Sequence, residues 1–402
     1  MKKTFTLLSL GFCFAISSFA QAPKEDTTNL NNNFRNTLYT SKFGQAQIGG
    51  YAQIDYNQKI GESDFKNGNL DVHRMIIFLG HKFNEKVSFF SEIEVEHVKE
   101  IYVEQAFLEY KINDWMNFRG GLLLVPMSIV NEYHEPPTFN GVERPNLNSK
   151  IVPTTWREMG AGFAGSLKDI SLNYQLYLMN GSLGYSNSDG AKFRGKDGIR
   201  KGRQKGAKST MSAHPNIAGK LNYYAVRGLN VGLSTFYGKS QSELYNGINK
   251  NDAAAIQMAD SSVIGIMMTG FDFRYRLKDL RVRGEFIYAD LSNTNQYNTF
   301  GNTDLGSSMM GYYGELAYNV FGFMDDWNDQ LFVFGRYENY NTHNTVDKNI
   351  IRNKALNRND ITLGLHYKPS TRASFKVDLQ IFSNEKDKYP VHQINFGVGA
   401  WF

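Results

Sequence analysis

The chain has 402 residues with 44 basic and 39 acidic side chains, so its formal charge of +5 singles out no partner by itself. Aromatic residues make up 14%, with 23 Tyr and 29 Phe beside 37 Gly, which suits amphipathic strands with aromatic belts better than a soluble enzyme core. After Ala20 no apolar run is long enough for a transmembrane helix, so any membrane crossing must be made by strands. Met1-Lys2-Lys3, the apolar stretch 5–16 and Ser18-Phe19-Ala20 read as a secretory signal cleaved after Ala20. The one cysteine, Cys13, lies inside this segment, and Phe12 before it argues against lipidation. Residues 21–45 are polar and rich in Asn and Thr, as expected of a flexible periplasmic lead.

From residue 46 onward, segments of period-two alternation repeat to the end of the chain. The expected strands are 46–56, 69–82, 86–98, 101–110, 115–123, 156–167, 169–180 and 212–224, then 228–239, 263–277, 279–292, 309–320, 330–341, 359–369, 372–383 and 390–402. That gives about sixteen, an even number of the kind bacterial barrels use. Connections after even strands are mostly tight, as at Asn84-Glu85, Asn113-Asp114, Arg227-Gly228, Lys278-Asp279 and Pro369-Ser370. Those after odd strands are often long: 124–155, 181–211, 240–262, 293–308 and 342–358. Such segregation fits periplasmic turns and extracellular loops, and a soluble sandwich has no reason to show it. The last strand, VHQINFGVGAWF, puts Ile394, Phe396, Val398 and Ala400 on one face and ends on Phe402, the aromatic terminus that barrel-assembly machinery recognises. The expectation is an all-β, outer-membrane antiparallel β-barrel over 46–402, in contact with lipid and lipopolysaccharide.

Alternation then sorts side chains between lipid and lumen. With Val87, Phe89, Ile93 and Val95 outward, Glu92, Glu94 and Glu96 face inward; with Phe271, Phe273 and Tyr275 outward, Asp272, Arg274 and Arg276 do. The same reading sends Arg281, Arg283 and Glu285, then Arg336 and Glu338, and also Arg119 and Arg74 to the inside. A charge facing lipid at mid-bilayer would cost ~2–4 kcal/mol, which makes this placement nearly obligatory. So many inward charges predict a hydrated channel interior rather than a packed core.

Two loops stand out. Segment 124–155 carries Pro126, Pro136, Pro137, Pro145 and Pro153, a stiffening that suits either a loop folded into a pore or a rigid surface loop. Segment 192–208 gathers Lys192, Arg194, Lys196, Arg200, Lys201, Arg203, Lys205 and Lys208, interrupted by glycines, and is expected to be mobile and extended. It could draw anions to a pore mouth, clamp lipopolysaccharide phosphates or simply be solvated; the secretory signal argues against nucleic acid. His134-Glu135 lacks a second histidine at helical spacing, and no catalytic, metal or cofactor-binding spacing is found.

VEQAFLEYKI at 103–112, MNFRGGLLLVPMS at 116–128, GVERPN at 141–146 and the closing GVGAWF resemble the phosphate-selective porin O and P family in its Bacteroidetes-type branch. The resemblance implies a sixteen-stranded homotrimeric channel whose third extracellular loop, 124–155, folds inward with Arg144 on it. It also implies arginines that pass small anionic solutes, here Arg74, Arg119, Arg144, Arg274, Arg276, Arg283 and Arg336, since a guanidinium fork matches phosphate. The acidic partners Glu92, Glu94, Glu96, Asp272, Glu285 and Glu338 depart from a simple anion pore. A cation- or sugar-permeable porin of the same fold therefore stays open as an alternative, with a barrel hydrolase or a surface adhesin behind it.

Overall fold

A computed structural model describes residues 44, 46–61, 64–133, 138–212, 214–324 and 329–402. The secretory signal, nearly all of the 21–45 lead and His134 to Pro137 lie outside the described residues. Sixteen strands form one closed antiparallel barrel: β1 Ala46–Ile60, β2 Asn69–Lys82, β3 Val87–Glu96, β4 Glu100–Lys111, β5 Asn117–Leu124, β6 Arg157–Leu167, β7 Leu172–Met179 and β8 Asn216–Tyr223 make the first half. The second half is β9 Leu229–Lys239, β10 Gly265–Leu277, β11 Leu280–Ser292, β12 Ser308–Asn319, β13 Gln330–Thr345, β14 Asn357–Ser370, β15 Ala373–Asn384 and β16 Val391–Trp401. Every strand pairs with its sequence neighbour, and β1 closes on β16 with Tyr51 opposite Trp401. Closure leaves no open edge, so each backbone group of the wall finds a partner without water.

Two faces follow from the pleat. On β12, Tyr312 and Leu316 are 40% and 53% exposed, whereas Tyr313, Glu315 and Ala317 between them are 3% or less. The outward set along the wall is apolar or aromatic, and the inward set mixes polar and charged positions with apolar ones, so the outer face has the pattern a lipid-facing barrel requires. Tight turns close one rim. Gly228 (φ 77°) opens β9 there, and a Cβ on it would meet Arg276 O at 2.2 Å, so the turn admits only glycine.

The other rim carries the long loops, and they are folded. A single helical turn, α1 Leu147–Lys150, comes first in the chain, and the short strands Leu183–Ser186, Gly190–Ala191 and Gln241–Ser242 form a small sheet, joined by α2 Ala253–Ser261 and α3 Thr294–Gly301. Tyr297 ties this cap together, its hydroxyl donating to Gly184 O at 2.6 Å and accepting from Phe193 N at 3.0 Å.

Two expectations are corrected here. Segment 192–208 is neither mobile nor extended: Phe193 and Ile199 are fully buried in the cap, and Gly195 sits where a Cβ would meet His343 Nε2 at 2.1 Å. Its glycines serve close packing, and Phe193 and Ile199 anchor it. Nor is the interior wholly hydrated. Val125, Met127, Leu147, Ile151, Val152 and Trp156 from segment 125–156 join Phe236, Met268, Ile287 and Met309 from the inner wall in one buried apolar cluster. The inward positions at the long-loop ends of β9 to β12 are apolar, and the loop covers them.

Candidate functional site

The described residues of segment 125–156 lie inside the barrel, where the resemblance placed loop 124–155. A loop placed there must satisfy its backbone polar groups, and apart from α1 it has little regular structure to do so. The wall supplies the partners. Carboxylates take the loop's donors: Ile129 N on Glu285 at 3.3 Å, Leu147 N on Glu338 at 3.2 Å, Asn146 on Asp360 at 2.9 Å, Asn140 on Glu315 at 2.7 Å and Val142 N on Asp378 at 2.6 Å. Cations take its carbonyls: Lys220 on Ser128 O at 2.6 Å, Arg283 on Thr138 O at 3.0 Å, Arg336 on Glu143 O at 3.4 Å, and Lys376 on Phe139 O and Gly141 O at 2.7 and 2.8 Å. Bonds to charged groups are the stronger kind, and these are shielded from water.

Strand register explains how the wall does this. Asp272, Glu285, Tyr313, Glu338 and Asp360 are direct neighbours across β10 to β14, and one step nearer the tight turns stand Arg274, Arg283, Glu315, Arg336 and Thr362. An acidic row thus runs beside a mixed Arg/Glu row, and the loop lies against both. Within the second row Arg283 pairs with Glu315 at 2.6 Å, and Arg336 reaches across to Glu338 of the acidic row at 3.4 Å.

The sequence-derived residues therefore divide by surroundings. Arg283, Arg336, Glu285 and Glu338 hold the loop. Asp272 lies 3.3 Å from Lys220, and Arg274 sits over the Tyr133 ring at 4.6 Å. Arg276 is exposed near the tight-turn rim, Arg119 is bound to Glu109 at 2.6 Å and to Tyr177 Oη at 3.0 Å, and Glu92 accepts from Gln105 at 2.6 Å. Arg74, Arg144, Glu94 and Glu96 belong to a separate group.

That group faces the loop from β2, β3, β4 and β6, towards the long-loop rim. Arg74 lies 3.6 Å from Glu94, and Arg157 lies 3.8 Å from Glu104. Arg144 comes off the loop beside Arg74. Burial first and then the Arg74 charge push its guanidinium down to about 10, leaving it cationic at neutral pH. Arg203, from the basic loop, donates to Thr154 O; burial, then Arg200, Arg157 and Arg144, push it likewise to about 10. Lys205 sits 4.3 Å from the centre of the Tyr102 ring and is lowered by burial and by Arg203. Cations crowded by their own sign gain when an anion enters among them. Of the basic loop, Arg194, Lys196, Lys201 and Lys208 remain exposed at the rim, Lys192 pairs with Asp189, and Arg200 is half-buried.

Sequence reading missed Glu104, Arg157, Lys220, Glu315, Asp360, Lys376 and Asp378. Most fall on inward positions that alternation gives directly, as Lys220 does between outward Ile217 and Leu221. Glu104 does not, because a register shift at Glu92/Ile93 turns both Glu104 and Gln105 inward. Phe402 caps the closing strand, exchanging backbone hydrogen bonds with Gly50 at 3.0 and 3.1 Å.

No family model matches the chain. An uncharacterized protein of Aquifex aeolicus is 33% identical to it over 361 residues, 87% of this chain and 78% of that protein. Among solved structures, an anion-selective porin from Comamonas acidovorans aligns with a TM-score of 0.56 at 11% identity, over 89% of this chain and 97% of that one. The outer-membrane channel DcaP of Acinetobacter baumannii gives the same TM-score, 0.56, at 11% identity over 89% and 97%. The outer-membrane protein OmpT of Vibrio cholerae, in a trimer form, gives 0.52 at 9% identity over 90% and 100%. At such identities the likeness is one of fold: a sixteen-stranded barrel of the outer-membrane porin type.

Proposed function

The chain belongs to one family with the uncharacterized Aquifex aeolicus protein, and from the barrel's own chemistry we propose that it is an outer-membrane porin passing small hydrophilic solutes with a modest preference for anions. The observation that carries this reading is segment 125–156, held inside a polar-walled barrel so that Arg144 stands beside Arg74. The loop narrows the lumen, anchored on β1, β7, β8 and β11 to β15, and on this reading the solute passes on the β2–β6 side, where Arg74 and Arg144 stand. On that side Arg74, Arg144, Arg157, Arg203 and Lys205 crowd one another among Glu94, Glu96, Glu104, Glu143 and Glu158, and basic side chains gathered at a constriction favour anions. The long-loop rim is extracellular, and the exposed lysines of 192–208 raise anion concentration there. Phosphate is the preferred anion, in keeping with the porin O and P resemblance and with guanidinium forks that bind it in pairs.

The working assembly is a homotrimer, as in the trimer form of Vibrio cholerae OmpT. A cation- or sugar-permeable porin is the second reading, favoured by the acidic row on β10 to β14. Those carboxylates are largely taken up by the loop's donors, which weighs against it. Liposome swelling with neutral solutes of increasing size tests the channel itself: small sugars should enter and oligosaccharides should not. Liposomes that swell with none of them would refute the porin reading. Phosphate added to a chloride current should reduce it in the native protein and less in Arg144→Ala; equal block in both would remove Arg144 from the anion route.

A further inference from the structure

On the lumenal wall at the long-loop rim, beyond the arginines, Asp55 of β1 stands directly opposite Asp71 of β2. Like charges facing each other across a strand pair repel, so this arrangement calls for something positive between them. Two histidines stand beside it. His73 Nδ1 is 2.8 Å from Asp55 Oδ2, and His97 Nδ1 is 2.5 Å from Asp71 Oδ2. The ligand atoms of Asp55, Asp71 and His73 all lie within 4.8 Å of one another. The two imidazole rings are 5.9 Å apart, centre to centre.

The backbone builds this cluster deliberately. A register shift between Gln53 and Asp55 turns His73 and Arg74 inward together. The β3–β4 turn then bends at His97 (φ 52°) and Val98 (φ 67°), two non-glycine residues in the left-handed region, a costly conformation for β-branched Val98. A hydrogen bond from His97 N to His73 O at 3.3 Å sets the second histidine over the first.

We propose that Asp55, Asp71, His73 and His97 bind a divalent transition-metal ion of the zinc type. Two imidazole nitrogens and two carboxylate oxygens make a four-ligand set of borderline character, which suits zinc rather than calcium or magnesium. Around a tetrahedral zinc the donors would stand ~3.3 Å apart, given metal–ligand distances of ~2.0–2.2 Å, so Asp55, Asp71 and His73 close on it by small rotations, while His97, held by Asp71 just outside that group, turns further to complete the set. An outer layer is in place. Gln53 Nε2 donates to Asp55 Oδ2 at 3.1 Å, and His97 Nε2 faces Glu96 Oε1 at 3.9 Å, the carboxylate behind an imidazole that metal sites use. His73 Nε2 now lies 3.0 Å from Arg74 Nη2. Metal at Nδ1 would move the ring proton to Nε2 and turn Arg74 away towards Glu94, linking the site to the arginine group. The entry path is open, since the His97 and His73 side chains are 43% and 21% exposed.

Metal binding is read without any current, so it is tested on membrane-extracted protein in detergent, stripped with EDTA. Calorimetric titration with zinc chloride should give one site, and cobalt chloride should give the visible absorption of a tetrahedral centre. His73→Ala should weaken zinc at least tenfold, and His97→Gln, on an exposed turn that tolerates change, should weaken it and alter the cobalt spectrum. Absence of binding, calcium bound as tightly as zinc, or zinc affinity unchanged in both variants would each overturn the assignment. Conductance of the stripped protein, measured separately, reports on the porin reading alone.

Discussion

Lys376→Met is the sharpest perturbation of the docked loop. The Lys376 ammonium donates to Phe139 O and Gly141 O at 2.7 and 2.8 Å and lies 4.2 Å from the centre of the Phe139 ring. Hydrogen bonds to a charged group are worth ~1.5–3 kcal/mol each, so losing both removes ~3–6 kcal/mol from the docking of segment 138–142. That is roughly a factor of 10² to 10⁴ in the balance between docked and undocked, at 1.4 kcal/mol per tenfold. Methionine keeps the length and apolar contact with Phe139, so the wall itself should stay packed. The other anchors, Asn140 on Glu315, Val142 on Asp378 and Arg283 on Thr138 O, remain. The segment should therefore loosen without leaving the lumen. Single-channel recording in a planar bilayer should show more frequent brief current fluctuations and a larger mean conductance than the native protein. Conductance and current noise identical to native would refute the idea that wall charges hold the loop in place.

Three further outcomes are expected. The double change Arg144→Ala with Arg203→Ala should move the reversal potential in a potassium chloride gradient towards the potassium value, while the channel keeps conducting. Leu363→Lys, at an outward position midway along β14 that is 51% exposed, should cost ~2–4 kcal/mol in urea unfolding from lipid vesicles, the penalty of a charge facing lipid. Trp156→Ala should cost ~3–5 kcal/mol in the same assay, because the indole is fully buried, packs 4.5 Å from the Phe236 ring and donates to Glu158 at 3.0 Å.

The wall was legible because a barrel strand has one simple rule, period two, and lipid enforces it on every outward position. β2 was read to the residue, at 69–82. β13 was read as ending at 341, whereas it runs on to Thr345, because Asn341-Thr342-His343-Asn344 has the composition of a loop. Those residues are strand because the cap covers them: His343 Nε2 lies 2.6 Å from Asp304 O, and Asn341 accepts from His343 N at 2.9 Å. Inward orientation of Arg283, Glu285, Arg336 and Glu338 could be read from one strand at a time. Their shared partner could not, since the loop lies 137 to 193 positions away in sequence. The same distance hid the packed core, for Trp156 meets Phe236 only after the loop has folded back. Alternation also fails at register shifts, which is why Glu104 escaped notice and why His73 and Arg74 both face the lumen.

Ion selectivity of the native channel bears most directly on the reading of the β2–β6 side as the solute route. Purified protein in a planar bilayer, with potassium chloride concentrated on one side, gives the reversal potential from a single current–voltage curve. An anion-selective value is the expected result, since Arg144, Arg203 and Lys205 are each crowded by neighbouring cations that an entering anion would relieve. A cation-selective value would contradict it and hand the lumen to Glu94, Glu96, Glu104 and the acidic row.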